Sequence, residues 1–166
     1  MKRIISIVLA IVVLFAFAAF ALASGEDETG NQGSGTASGS SENVDTDIGD
    51  YSVVIDSCRL AKDYEGKDIV IVKYIFTNNS NDEATSFMTA FDDEVYQNGV
   101  GLNSAYVLDD SANYSSDNQT KDIKKGATID VEVAYELNDT TTDIEVEVEE
   151  LFSFDDKTIT KTFSLK

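Results

Sequence analysis

IDVEVAYEL, residues 129–137, places Ile129, Val131, Val133, Tyr135 and Leu137 on one parity, while Asp130, Glu132 and Glu136 fill most of the other. Alternation with period two describes a strand with one buried and one wet face. Upstream, DIVIVKYIFTN at 68–78 carries Val70, Val72, Tyr74 and Phe76 on one parity and Ile69, Ile71 and Ile75 on the other. Both faces need cover, which predicts a central strand. In YSVVIDSCRL, 51–60, the parity of Tyr51, Val53 and Ile55 passes to Cys58 and Leu60 after Asp56. Such a slip predicts a β-bulge, or a strand that leaves one sheet for another. Asn98-Gly99 tolerates positive φ at both positions and predicts a hairpin turn.

At the C-terminus, Ile144, Val146, Val148, Phe152 and Phe154 share a parity broken by Glu150, and Ile159, Phe163 and Leu165 share one broken by Lys161. A turn at Asp155-Asp156 would set Phe152 opposite Ile159, Val148 opposite Phe163 and Val146 opposite Leu165. Glu150 would then face Lys161, and a cross-strand ion pair would make both interruptions tolerable. The carboxylates between Phe91 and Val95 suggest a short helical turn. Seven to eight short strands separated by turn signals, with no helical stripe, predict an all-β, immunoglobulin-like two-sheet antiparallel sandwich. A Cys–Trp–Cys core of the antibody type is excluded, because the chain has one Cys and no Trp.

The segments outside this domain differ in composition. Residues 1–23 read MKRIISIVLAIVVLFAFAAFALA, a basic start followed by an apolar run, with the small residues Ala21, Ala23 and Ser24 at its end. This is a signal peptide pattern with cleavage expected after Ala23, and an uncleaved membrane anchor is the alternative. A lipid-anchored precursor needs a Cys at the cleavage point, and the sole Cys is Cys58. Residues 24–49 hold six acidic and no basic or aromatic residues, so a disordered acidic Gly/Ser-rich linker is expected. The folded domain is assigned to 50–166, long enough for one core.

Composition excludes several chemistries. The 166 residues include 12 basic and 31 acidic side chains, a formal charge of −19, and no His. Ser-His-Asp and Cys-His catalysis and His-ligated metal centres are therefore ruled out. One thiol cannot form an internal disulfide, a Cys-only zinc site or an iron–sulfur cluster. Repulsion from phosphate disfavours nucleic acid.

The order of YSVVIDSCRLAKDYEGKDIVIVKYIFTNNS, ATSFMTAFDDEVYQNGVGL, IKKGATIDVEVAYELND and VEVEELFSFDDKTI resembles domain-of-unknown-function family 5067, secreted immunoglobulin-like proteins of low-GC Gram-positive bacteria. FTNNS, YQNG and LFSFDD carry most of the likeness. The resemblance implies an exported sandwich behind a low-complexity linker, and no assigned activity. Two departures are Lys125 before Gly126, where relatives often have Pro, and the missing lipid-attachment Cys of some relatives.

Candidate sites are few. Asp109, Asp110 and Asp117 line a Ser/Asn-rich segment that could offer oxygens to calcium. Asp92, Asp93 and Glu94, and Asp155 with Asp156, are further carboxylate clusters. None matches a spaced calcium-loop motif, and a solvated acidic surface is the simpler reading. Tyr106, Asn113 and Tyr114 lie in or beside the least strand-like segment, 103–120, and are ligand-binding candidates because loops on a rigid sandwich carry recognition. The plainer alternative puts Tyr106 in the core and Tyr114 over a loop. Cys58 is expected to behave as a small buried hydrophobe. N-x-S/T triplets at Asn78, Asn113, Asn118 and Asn138 read as turn residues rather than glycan acceptors.

No cofactor is implied. The expected function is an exported, non-catalytic binding or adhesion module, monomeric, that recognises an extracellular protein, peptide or glycan. Its acidity favours basic partners, with membrane contact only through an uncleaved leader. The alternatives are a secreted hydrolase using carboxylates alone, such as a glycoside hydrolase, and a structural envelope protein.

Overall fold

The computed structural model describes residues 46–81, 84–108, 112–153 and 157–166. Ala21, Ala23 and Ser24, the linker up to residue 45, Asp109, Asp110, Asp155 and Asp156 lie outside them. Eight strands form two antiparallel sheets. The first contains β1 (Asp47–Ile48), β2 (Tyr51–Lys62), β3 (Asp68–Asn78) and β6 (Thr128–Glu136), in that spatial order. In the second, β5 (Val100–Gly101), β4 (Phe91–Gln97), β7 (Ile144–Glu150) and β8 (Thr158–Phe163) follow one another. The pairings β2–β3–β6 and β5–β4–β7–β8 correspond to A–B–E and C′–C–F–G of the immunoglobulin fold, and among the described residues no D strand lies beside β6.

The folded body begins earlier than the composition change suggests. Ile48, placed in the linker by sequence, is 1% exposed and joins the main core through β1. One apolar side chain is enough to draw the end of an otherwise polar segment into the sheet.

β3 is central, paired with β2 on one side and β6 on the other. Val70, Val72, Tyr74 and Phe76 point between the sheets and are fully buried. Ile69 and Ile71 point outward and are buried beneath Val107 and Tyr114 of the segment before β6. Phe76, Phe87 and Phe91 form an aromatic cluster at the core, with Phe76 and Phe91 edge to face at 5.5 Å. Such contacts add about 1 kcal/mol each beyond area burial.

The helical turn expected over Phe91–Val95 sits one step earlier, as α1 (Phe87–Ala90), and Phe91–Gln97 is strand. Hydrogen bonds between Ser86 and the Thr89 hydroxyl hold the turn's start. Alternation then sends Phe91, Asp93, Val95 and Gln97 inward and Asp92, Glu94 and Tyr96 outward. Asn98 and Gly99 make the β4–β5 turn with φ of 55° and 72°.

The C-terminal hairpin departs from the expected register. Val146 faces Lys161, Val148 faces Ile159 and Ile144 faces Phe163, so each partner is displaced by four residues from the Asp155-Asp156 turn arrangement. An even displacement keeps every side chain on its face, so the apolar pattern alone cannot distinguish the two registers. Glu150 pairs in register with Phe91, not with Lys161, and its carboxylate lies over Gly49, where a Cβ would collide with it. Phe152 is 86% exposed and does not face Ile159.

The parity slip at Asp56 is a bulge between Ile55 and Ser57, and β2 stays in its sheet. Lys161 crosses from β8 and donates from Nζ to the carbonyls of Ile55 and Asp56, each at 2.7 Å. Its ammonium also lies 4.8 Å from the Phe163 ring centroid. Two irregularities, the bulge and the lysine on an apolar face, therefore satisfy each other across the sandwich.

Candidate functional site

The outer face of the second sheet is a ladder of like charges. Asp92 lies directly opposite Glu149, Glu94 opposite Glu147, and Tyr96 opposite Glu145. Thr158, Thr160 and Thr162 complete the three rows on β8. None of the ion pairs among the described residues reaches these five carboxylates. The compensation they do find is neutral: Thr158 donates to Glu149 at 2.6 Å, and the Tyr96 hydroxyl donates to Glu94. The Glu94 hydrogen bond, with the charges of Glu94, Glu147 and Glu149, pushes the Tyr96 phenol up to about 12. Like charges directly opposite in a sheet destabilise it, by roughly 0.2–1 kcal/mol per pair.

Beside this face a groove of about 400 Å³ opens between the sheets. Its walls are Phe87, Met88, Phe91, Val133 and Leu151, and Asp93 with Tyr135 supplies polar groups within it. Asp92 lines both the groove and the acidic face. Asp93 occupies an inward position of β4, where its neighbours on that face are Phe91 and Val95. The Tyr135 hydroxyl donates to Asp93 Oδ2. Burial pushes the Asp93 carboxyl up, with a smaller contribution from Asp92, while the Tyr135 and Tyr74 hydroxyls act in the opposite sense. The Tyr74 hydroxyl, fully buried, makes no hydrogen bond of normal geometry.

Segment 102–120 has a structural task that its composition did not advertise. With no D strand, β6 would expose an edge of unpaired backbone groups. Ala105 N donates to Ala134 O, Glu136 N donates to Asn103 O, and the side-chain amides of Gln119 and Asn118 donate to the carbonyls of Glu132 and Asp130. Arg59 fastens the segment by donating to the carbonyls of Ala112 (2.8 Å) and Asn113 (2.9 Å) while pairing with Glu132 at 3.0 Å. Tyr114 is consequently buried against Ile69 and Ile71, with its hydroxyl accepting from Gln119. Tyr106 instead lies 68% exposed, edge to face with Tyr64 at 5.7 Å. The plainer alternative puts Tyr106 in a core strand, but Tyr106 is exposed, and the tyrosine packed over buried residues is Tyr114. Asn113 is exposed, at φ 49°.

Asp117 is exposed in a 3-10 turn, Asp117–Gln119. Asp92 and Glu94 face solvent while Asp93 faces inward, so three carboxylates in a row do not converge. Among the described residues no group of three or more acidic or Cys side chains is placed to hold a metal ion. Cys58 is half-buried against the main core, and burial raises its thiol pKa against the opposing charge of Lys161. Asn78 is fully buried: its amide donates to Ile123 O and its carbonyl oxygen accepts from Ser80 N and Oγ. The side chains of Asn78 and Asn118 bond the backbone, and the turn beyond Asn138 is held by Gln97, a buried residue whose role sequence reading missed. Gln97 was detectable as a polar residue at an inward position of FDDEVYQ, as was Asp93.

Residues 26–150 match the family model described as "Domain of unknown function (DUF5067)". The matched stretch ends with the last residue of β7. Among solved structures, the chain resembles a crystal structure of a "putative lipoprotein (ycdA)" from Bacillus subtilis, with a TM-score of 0.53 and 16% identity, over 71% of this chain and 38% of that one. The chain thus spans well under half of that protein's length, and at this identity the likeness is one of fold. No curated protein matches the chain.

Proposed function

The chain belongs to the DUF5067 family, and from that premise we propose that it is an exported, non-catalytic binding module whose recognition surface is the acidic outer face of β4, β7 and β8. The partner is a cationic extracellular protein, peptide or cell-wall component. One observation carries the reading: five carboxylates are aligned on one sheet face, and none of the ion pairs among the described residues offsets their repulsion. Folding gains nothing from that alignment, whereas a positive surface would be drawn to it. Export rests on the leader sequence and agrees with the description of the structural neighbour as a lipoprotein.

The hydrolase alternative requires two carboxylates facing one another across a cleft, one of them in an apolar setting. Asp93 has the setting, but Asp92 and Asp93 point to opposite faces of β4, and the paired carboxylates lie on an open surface. Binding is the better-supported reading.

The test is retention of the full-length protein on a poly-lysine surface at 0.1 M and 1 M salt, where the screening length falls from about 10 Å to about 3 Å. Retention should fall about tenfold or more at the higher salt. Equal retention at both would overturn the proposal.

A further inference from the structure

We infer that the groove beside the acidic face is a pocket for a single lysine side chain of the partner, with the Asp93 carboxylate as its anchor. The inference rests on the proposed function and adds a defined point of entry to it. A carboxylate has about four lone-pair sites. Asp93's partners among the described residues are neutral: the Tyr135 hydroxyl donates to Oδ2, and the Tyr74 hydroxyl also favours the charged form. A half-buried carboxylate held by neutral donors keeps a charge that no cation offsets. The groove walls supply no cation of their own: its lining includes Asp92 and Asp93 and no Lys or Arg. The Tyr74 hydroxyl is fully buried, its ionisation held back first by burial and then by the Asp93 charge, so it too stays neutral beside Asp93.

The walls fit the rest of a lysine. Met88 (53% exposed) and Leu151 (40% exposed) stand at the mouth, and Phe91 lies buried behind them. Lysine buries its methylene stem along apolar surface while its ammonium seeks a polar partner, and this groove offers those two environments in sequence. The mouth adjoins Asp92, so the acidic face that attracts a basic partner leads to the pocket that holds it.

Met88 provides a reporter, because Met1 is the only other methionine. Full-length protein carrying 13C-methyl methionine is titrated with hexalysine. The Met88 methyl resonance should shift and saturate. Asp93→Asn, close to isosteric, should weaken that response at least about tenfold without lowering the melting temperature. Asp117→Asn, which removes the same charge at an exposed position outside the groove, should preserve it, so a general loss of negative charge is distinguished from loss of the anchor. A triple variant, Glu94→Gln/Glu147→Gln/Glu149→Gln, should still shift Met88, at weaker affinity. An unchanged response in Asp93→Asn, or no Met88 shift in a wild-type protein that is still retained on poly-lysine, would overturn the pocket and leave the acidic-face reading standing. Loss of both retention and shift in the wild type would overturn both.

Discussion

Replacing Gln97 with Leu is expected to lower the unfolding free energy by about 3 kcal/mol. Gln97 is 1% exposed at the inward end of β4, and its amide uses its full hydrogen-bonding capacity on the β6–β7 connection. Nε2 donates to the carbonyls of Asp139 (3.0 Å) and Thr142 (2.9 Å), and Oε1 accepts from the amides of Asn138 (3.0 Å) and Asp139 (3.3 Å). Leu fills a similar volume but leaves two carbonyls and two amides without their partner. Each buried orphan costs about 1–3 kcal/mol, and water at the exposed side of the connection recovers part of the sum. Asp139 helps the turn independently, because its carboxylate accepts from the amides and hydroxyls of Thr141 and Thr142, which hold it well below the usual carboxylate range. Urea unfolding measures the effect. A loss below about 1 kcal/mol would show that water substitutes for the amide.

Lys161→Met is expected to cost about 2 kcal/mol. Met keeps most of the stem's packing and removes the ammonium. The Ile55 and Asp56 carbonyls, at the bulge in the β2–β3 pairing, lose the donor that reaches them from the other sheet. The damage should be local as well as global: amide exchange near residues 55–58 should accelerate more than in β3. Unchanged exchange at the bulge, with the stability loss spread evenly, would show that Lys161 acts through packing instead.

Faces were easier to read from the sequence than partners. The alternation in 68–78 and 129–137 identified β3 as a covered central strand and β6 as a strand with one wet face, because period two reports burial directly; that the two are neighbours was not legible. The slip after Asp56 marked the bulge for the same reason. Register was not legible, since a displacement of four leaves every parity intact, and the Asp155-Asp156 turn signal favoured a tighter hairpin than the one formed. The partner of Lys161 was hidden because it lies about a hundred residues away, at two backbone carbonyls that carry no side-chain signature. Tyr114 rather than Tyr106 is buried because the edge of β6 and Ile69 and Ile71 need a cover, and composition does not say which tyrosine provides it. At the candidate site, abundant acid was plain in the sequence. The separation of Asp92 and Glu94 from Asp93 became meaningful only once β4 was known to be a strand.

On the proposed function, the acidic ladder serves binding at the expense of stability. Neutralising it in the Glu94→Gln/Glu147→Gln/Glu149→Gln variant tests both halves, because Gln can still accept from Tyr96 and Thr158 while the repulsion across the β4–β7 rows is relieved. Relief of about 1 kcal/mol should raise the melting temperature by roughly 3–5 °C, and retention on poly-lysine at 0.1 M salt should fall about tenfold. Retention equal to that of the wild type, whatever the melting temperature, would overturn the proposed function.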